Sequence, residues 1–195
     1  MLTNTHSFLF IRTSLLIFIV LGNLACNENK QENQSKKQYF DLKTLIESQT
    51  KILEKQKPTI IKTIKTTESK ETKETNNIDW KKELIFFRNA NINLPSLKDC
   101  YKVTQTDSTI DYKLKANSKS KIKHLKIHFY KNKTVKSISI LSEDKNSFYT
   151  SFKKLSLALI NNQIVSYNIT GFQKILLGDK KWFTIEGQAK KILSP

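Results

Sequence analysis

Apolar residues are spaced unevenly along this chain, and their spacing divides it into three parts. Residues 15–21 form an unbroken apolar run of seven. Residues 27–38, NENKQENQSKKQ, contain no apolar side chain. From Tyr39 onward apolar positions recur periodically. In YFDLKTLIESQTKILEKQKP they fall at Leu42, Leu45, Ile46, Ile52 and Leu53, with Gln49 between. Steps of three and four put them on one helical stripe, and Pro58 ends it. TIIKTIKTTESKETKET then alternates Thr and Ile with Lys, the pattern of a half-exposed strand. A turn at Glu68 and Ser69 predicts a hairpin of residues 59–67 with 70–75. Its second arm is almost wholly polar and reads as an edge or solvent-facing strand. The spacing of Glu68, Glu71 and Glu74 by three suits a helix face as well. NNIDWKKELIFFRNANINLPSLKDCY predicts a second short helix. Asp79 is its N-cap, Trp80, Leu84 and Phe87 share one face, residues 89–93 stop it and Pro95 marks the following turn.

The remainder breaks into strand-length pieces: CYKVTQ, TIDYKLKA, KIKHLKIHFY, TVKSISIL, FYTSFKKLSLALI, QIVSYNITGFQKILL and KWFTIEGQ. Their separators are rich in Asn, Asp and Lys, which take the turn positions because glycine is scarce. Leu125, Ile127 and Phe129 alternate, as do Ile138 and Ile140. Consecutive strands with short links imply antiparallel pairing. The expected fold class is α+β: a curved antiparallel β-meander of about seven to nine strands, with one or two N-terminal helices packed on it. The pattern leaves open whether the sheet closes into a barrel. The expected organisation is a leader over residues 1–25, a tether over 26–38 and a single domain over 39–195.

Composition changes the picture in two respects. There are 34 basic and 17 acidic residues, a formal charge of +17, and Arg12 and Arg88 are the only arginines. Lysine is a hydrated point charge and lacks the fork with which arginine grips phosphate and guanine. The excess therefore reads as a solvated lysine surface, attractive to anionic lipid or polysaccharide, and nucleic acid is not an expected partner. With 4 glycines and 3 prolines, the chain fits neither a glycine-rich phosphate site nor a proline-rich disordered protein.

The apolar run at residues 15–21 gives way to Gly22, Asn23, Leu24, Ala25 and then Cys26. Ala25 and Cys26, with Leu24 upstream, resemble the lipobox of a bacterial lipoprotein, where a peptidase cuts before a cysteine carrying diacylglycerol. The resemblance implies cleavage between Ala25 and Cys26 and lipid attachment at Cys26. Asn23 stands where an aliphatic residue is usual. An ordinary signal peptide and an uncleaved anchor over residues 8–25 are the alternatives; the second would carry Arg12 inside its span, an unfavourable arrangement unless that residue lies near an end. One acyl chain anchors only marginally, whereas two or three hold firmly. An acylated Cys26 would leave Cys100 without an intramolecular partner, as a small buried residue or free thiol. The two cysteines match no zinc spacing.

Candidate chemistry is thin. His124 and His128 would share a helix face, but the zinc-protease pattern needs a glutamate where Leu125 stands. On the strand that the alternation predicts, residues four apart lie about 13 Å from each other, too far for one metal. No metal or other cofactor is expected. GxSxG, GxGxxG and GxxxxGK[ST] are absent from the sequence, so no catalytic residue is assigned. KHLKIHFYKNK interleaves Phe129 and Tyr130 with His124, His128 and lysines. These four residues form a possible ligand surface, with an envelope polymer as the preferred class.

Three stretches, DLKTLIESQTKILEKQKPTIIKTI, DWKKELIFFRNANINLPSLKDCYKV and QKILLGDKKWFTIEG, resemble a set of small Bacteroidota lipoproteins. The resemblance implies a helix, a hairpin, a second helix and a β-rich remainder behind an acylated cysteine. It supplies no activity. The expected function is a non-catalytic binding or structural module of the bacterial envelope, held through Cys26 to the outer-membrane bilayer on its periplasmic or cell-surface side. The alternatives are a carrier sheltering a lipid in a half-barrel and an envelope hydrolase.

Overall fold

The computed structural model describes residues 38–190. The expected leader, the Ala25–Cys26 cleavage and attachment site and the tether up to residue 37 lie outside the described residues.

Helix α1 (Leu42–Gln56) starts at Asp41, whose carboxylate accepts from the Thr44 N–H at 3.2 Å. It ends at Lys57, left-handed with φ 45°, whose N–H returns to the Leu53 carbonyl. Its buried residues are Leu42, Ile46, Gln49, Thr50 and Leu53, a single stripe at helical spacing. The expected stripe is therefore confirmed around Leu42, Ile46 and Leu53, with Gln49 inside it.

Strands β1 (Ile60–Thr66) and β2 (Lys70–Thr75) form the expected hairpin. The Thr66 hydroxyl accepts from the N–H groups of Glu68 and Ser69 and closes the turn without glycine. Glu71 and Glu74 thus lie on a strand, not on a helix. The second helix is split into two short turns, α2 (Trp80–Glu83) and α3 (Ile85–Arg88), with Asp79 capping the first. Trp80, Leu84 and Phe87 are buried as the pattern predicts. A 3₁₀ turn (Pro95–Leu97) leads into β3 (Tyr101–Gln105), β4 (Thr109–Leu114), β5 (Ile122–Phe129), β6 (Val135–Lys145), β7 (Tyr149–Ile160), β8 (Gln163–Ile175) and β9 (Lys181–Ala189).

All nine strands belong to one antiparallel sheet in the order β2-β1-β9-β8-β7-β6-β5-β4-β3. The sheet is curved and open, with β2 and β3 as its edges. The last strand, β9, returns to pair with β1, so the early hairpin extends the meander at its far side. The polar edge strand KETKET suits an unpaired border. Between β7 and β8, Asn161 and Asn162 both take positive φ, the demand of a tight hairpin turn.

One face of the sheet carries the core. Tyr112, Leu125, Ile140, Leu155, Ile169 and Ile185 are consecutive cross-strand partners from β4 to β9. Ile127, Ile138, Leu157 and Tyr167 form the next row. These pack with the buried stripes of the helices in one cluster. Gln49 fixes α1 to the β7–β8 turn: its amide donates to the Asn162 carbonyl and accepts from the Ile164 N–H, both at 2.9 Å. At the start of the domain, the Asn93 side chain bonds the backbone of Tyr39 and Phe40. Tyr39 packs edge-on against Tyr101 and Tyr112.

Candidate functional site

Strand alternation gives every second row of the sheet to the core and the intervening rows to the opposite face. On that face lies an open trough of about 690 Å³ crossing β6, β7, β8, β9 and β1. Ser137, Ser139, Ser156 and Ser166 line its middle, with Asn168, Glu186 and Gln188 at one flank. Register explains this grouping. Ser139 pairs with Ser156, Ser156 with Asn168, and Asn168 with Glu186. The Asn168 amide donates to Glu186 at 2.7 Å. Among the described residues no lysine lines the trough, although lysine supplies nearly all of the 34 basic residues.

Beneath the trough is Tyr167, whose ring turns to the core side and packs edge-on against Trp80. Its hydroxyl donates to Glu83 at 2.6 Å, and Glu83 pairs with Lys62 at 2.5 Å. Burial, reinforced by the bond to Glu83, raises the Tyr167 pKa well above the ordinary phenol value. Gly187 is required here: a β-carbon at that position would lie 2.2 Å from the Tyr167 ring. The glycine thus lets the ring sit under β9 on the core side.

Further along the same face, Phe152, Phe172 and Trp182 are direct cross-strand partners. Phe152 stacks on Phe172 with centroids 5.8 Å apart, and Phe172 meets Trp182 at 4.9 Å. Lys154 and Lys180 lie over Phe152 and Phe172. Such a ladder offers the flat apolar surface on which a ring-shaped ligand stacks.

The four residues singled out from the sequence are not brought together. His124 faces the helix-free side and bonds Asp111 through Nε2 at 2.6 Å. His128 lies on the same side of β5, four residues along, beside Thr109 and Ser137. Phe129 turns inward and packs edge-on against Phe40. Tyr130 donates its hydroxyl to the Leu159 carbonyl at 3.0 Å. Cys100 is a free, partly buried thiol packed against the core. Among the described residues, no group of three or more His, Cys, Asp or Glu could hold a metal. No helix among them is long and apolar enough to cross a membrane.

One constellation gave no sequence signal. On the core face of β7, the Lys153 amine donates to the Ser151 hydroxyl at 2.6 Å. Burial lowers the Lys153 pKa from its ordinary value. A hydroxyl beside a depressed lysine amine is the composition of a Ser–Lys nucleophile. Ser151, however, is only 2% exposed, and Lys153 lies under the Phe86 ring. Nearby, Asp144 pairs with Lys121 at 2.7 Å and accepts from the Tyr149 hydroxyl, and these bonds hold its carboxyl below the usual range. Asp144 thus links β6 to β7 and to Lys121 just before β5.

No family model, curated protein or solved structure matches this chain.

Proposed function

We propose that the chain is a membrane-anchored envelope lipoprotein whose domain is a non-catalytic binding module. The helix-free face of the sheet is its ligand surface, and the ligand class is a polyhydroxylated polymer such as envelope polysaccharide. The observation that carries this reading is the lysine-free trough. In a chain this rich in lysine, exposed strand positions fill with lysine by default. Here the centre of a sheet face that no described helix covers instead carries four serines with Asn168, Glu186 and Gln188. Its volume of about 690 Å³ is that of a ligand site. Hydroxyl, amide and carboxylate groups are the partners that sugar hydroxyls need, and the Phe152–Phe172–Trp182 ladder adds stacking surface two rows away. The serine hydroxyls with Asn168, Glu186 and Gln188 in the trough's mixed lining favour such a ligand over an acyl chain, and the core face is occupied by the helices.

Two measurements test the two halves of the reading. Isolated envelope polysaccharide should retain the native chain, and Ser156→Lys, which projects a long side chain into the trough, should lower retention at least tenfold. Equal retention of the variant would remove the trough from the proposal. Mass spectrometry of the mature N-terminus should find a lipidated Cys26, and high salt should extract Cys26→Ser, but not the native chain, from the membrane fraction. A variant that stays membrane-bound, with no acyl mass on the native protein, would overturn the anchor.

A further inference from the structure

The long central hairpins end in side chains that the core does not use. At the β8–β9 turn, Leu177 is 97% exposed, Ile175 67% and Leu176 65%; Phe148 at the β6–β7 turn is 75% exposed and Trp182 50%. The two turns are joined, because the Leu176 N–H donates to the Phe148 carbonyl at 2.8 Å. Five large apolar side chains therefore form one projecting end. A lysine collar surrounds it. Residues 141–154 and 174–182 contain Lys145, Lys153, Lys154, Lys174, Lys180 and Lys181 against the acids Glu143, Asp144 and Asp179. Apart from the half-buried Lys153, these lysines are exposed. Lys181 lies 3.4 Å from Glu68 in a pair that is itself exposed.

We infer that this apolar hairpin end, ringed by lysine, inserts into the headgroup region of an anionic lipid bilayer. Bulky apolar tips buried at the acyl boundary, a tryptophan at their flank and lysines at headgroup level are the elements of an interfacial contact. Charge complementarity selects anionic lipid over a neutral surface or a second copy of the chain, whose own tips carry the same positive collar. The fold adds a directional argument. Tyr101, the first residue of β3, lies at the same end of the sheet as the two turns, by the register through β4, β5 and β6. Tyr39 packs on Tyr101, and Gln38 bonds Asp99 just before β3. The chain therefore enters the domain at the end that bears the tips. The contact goes beyond the proposed anchor and does not require acylation of Cys26.

Fluorescence of the full chain on vesicles containing phosphatidylglycerol with brominated acyl chains tests it. Trp182 is half exposed and Trp80 is buried, so quenching reports the tip. The expected result is strong quenching on anionic vesicles, little on phosphatidylcholine alone, and loss of the quenched component in Trp182→Phe. In the Cys26→Ser background, the double variant Leu176→Asp with Leu177→Asp and the triple variant Lys174→Gln, Lys180→Gln, Lys181→Gln should each weaken vesicle binding at least fivefold with unchanged far-UV circular dichroism. Cys26→Ser should still be quenched, which separates the tip contact from the anchor. A chain that floats with vesicles while Trp182 stays unquenched would overturn the inference and leave the anchor standing. A chain that does not bind vesicles would overturn it, and so would a Trp182 blue shift without quenching accompanied by a doubled mass.

Discussion

The two faces of the sheet are made by the same strands, yet they obey different rules. On the helix-covered face one whole row from β4 to β9 is large: Tyr112, Leu125, Ile140, Leu155, Ile169, Ile185. On the other face the middle positions shrink to Ser137, Ser139, Ser156 and Ser166, with Lys126, Glu186 and Gln188 flanking them. Neighbouring residues such as Leu155 and Ser156 thus answer to different constraints, one to packing and the other to what approaches from outside. Large side chains on the first face are explained by burial. Small ones on the second are not required by burial, so they point to the ligand surface proposed above.

The comparison predicts unequal mutational costs. Trp80 bridges α2 to the sheet and meets Tyr167 edge-on. Trp80→Ala should destabilise by about 3–5 kcal/mol, the range for emptying a large buried aromatic site, read as a lowered urea midpoint. Its indole N–H is also the buried side-chain donor without a hydrogen-bond partner among the described residues. Trp80→Phe removes that donor and keeps most of the ring, and should cost about 1 kcal/mol or less. A Phe variant as unstable as the Ala variant would mean that ring shape, not volume, holds the helices to the sheet.

Much of this architecture was legible in the sequence, because its determinants are local. Leu42, Ile46 and Leu53 specify α1 by period, and seven strand-length pieces parted by Asn-, Asp- and Lys-rich turns specify β3 to β9. Two features were not legible. The pairing of β1 with β9 joins Ile60 to Ala189, and no local pattern encodes so distant a partner. Gln49 is polar on an apolar stripe, and its purpose appears only when the β7–β8 turn arrives beside it. The site divides in the same way. Phe129 and His128 are sequence neighbours, so they looked like one surface. Alternation sends one to Phe40 in the core and the other outward. Trough residues come from five strands, and only the sheet order makes Ser139, Ser156 and Asn168 neighbours.

Gln49 gives the intermediate effect. It is a polar residue on the face that otherwise excludes them, and it satisfies the Asn162 carbonyl and Ile164 N–H at once. Gln49→Leu keeps the volume but strands both backbone groups. The expected loss is about 1–3 kcal/mol, with faster amide exchange at Ile164 as the local readout. Unchanged exchange there would mean that the hairpin turn holds itself without α1.

The smallest effect on stability should come from the centre of the other face. Ser156 is exposed, and its register partners Ser139 and Asn168 are small or polar. Ser156→Lys removes no core contact, and its ammonium can stay in water above Glu186. The unfolding midpoint should therefore move by no more than about 0.5 kcal/mol, as for other surface substitutions. The same variant is expected to lose at least tenfold in polysaccharide retention. That separation of stability from binding is the decisive property of a surface shaped by a ligand. If Ser156→Lys instead destabilised by as much as Gln49→Leu, the small residues would be serving the bend of the sheet, and the contrast between the two faces would reduce to packing on both.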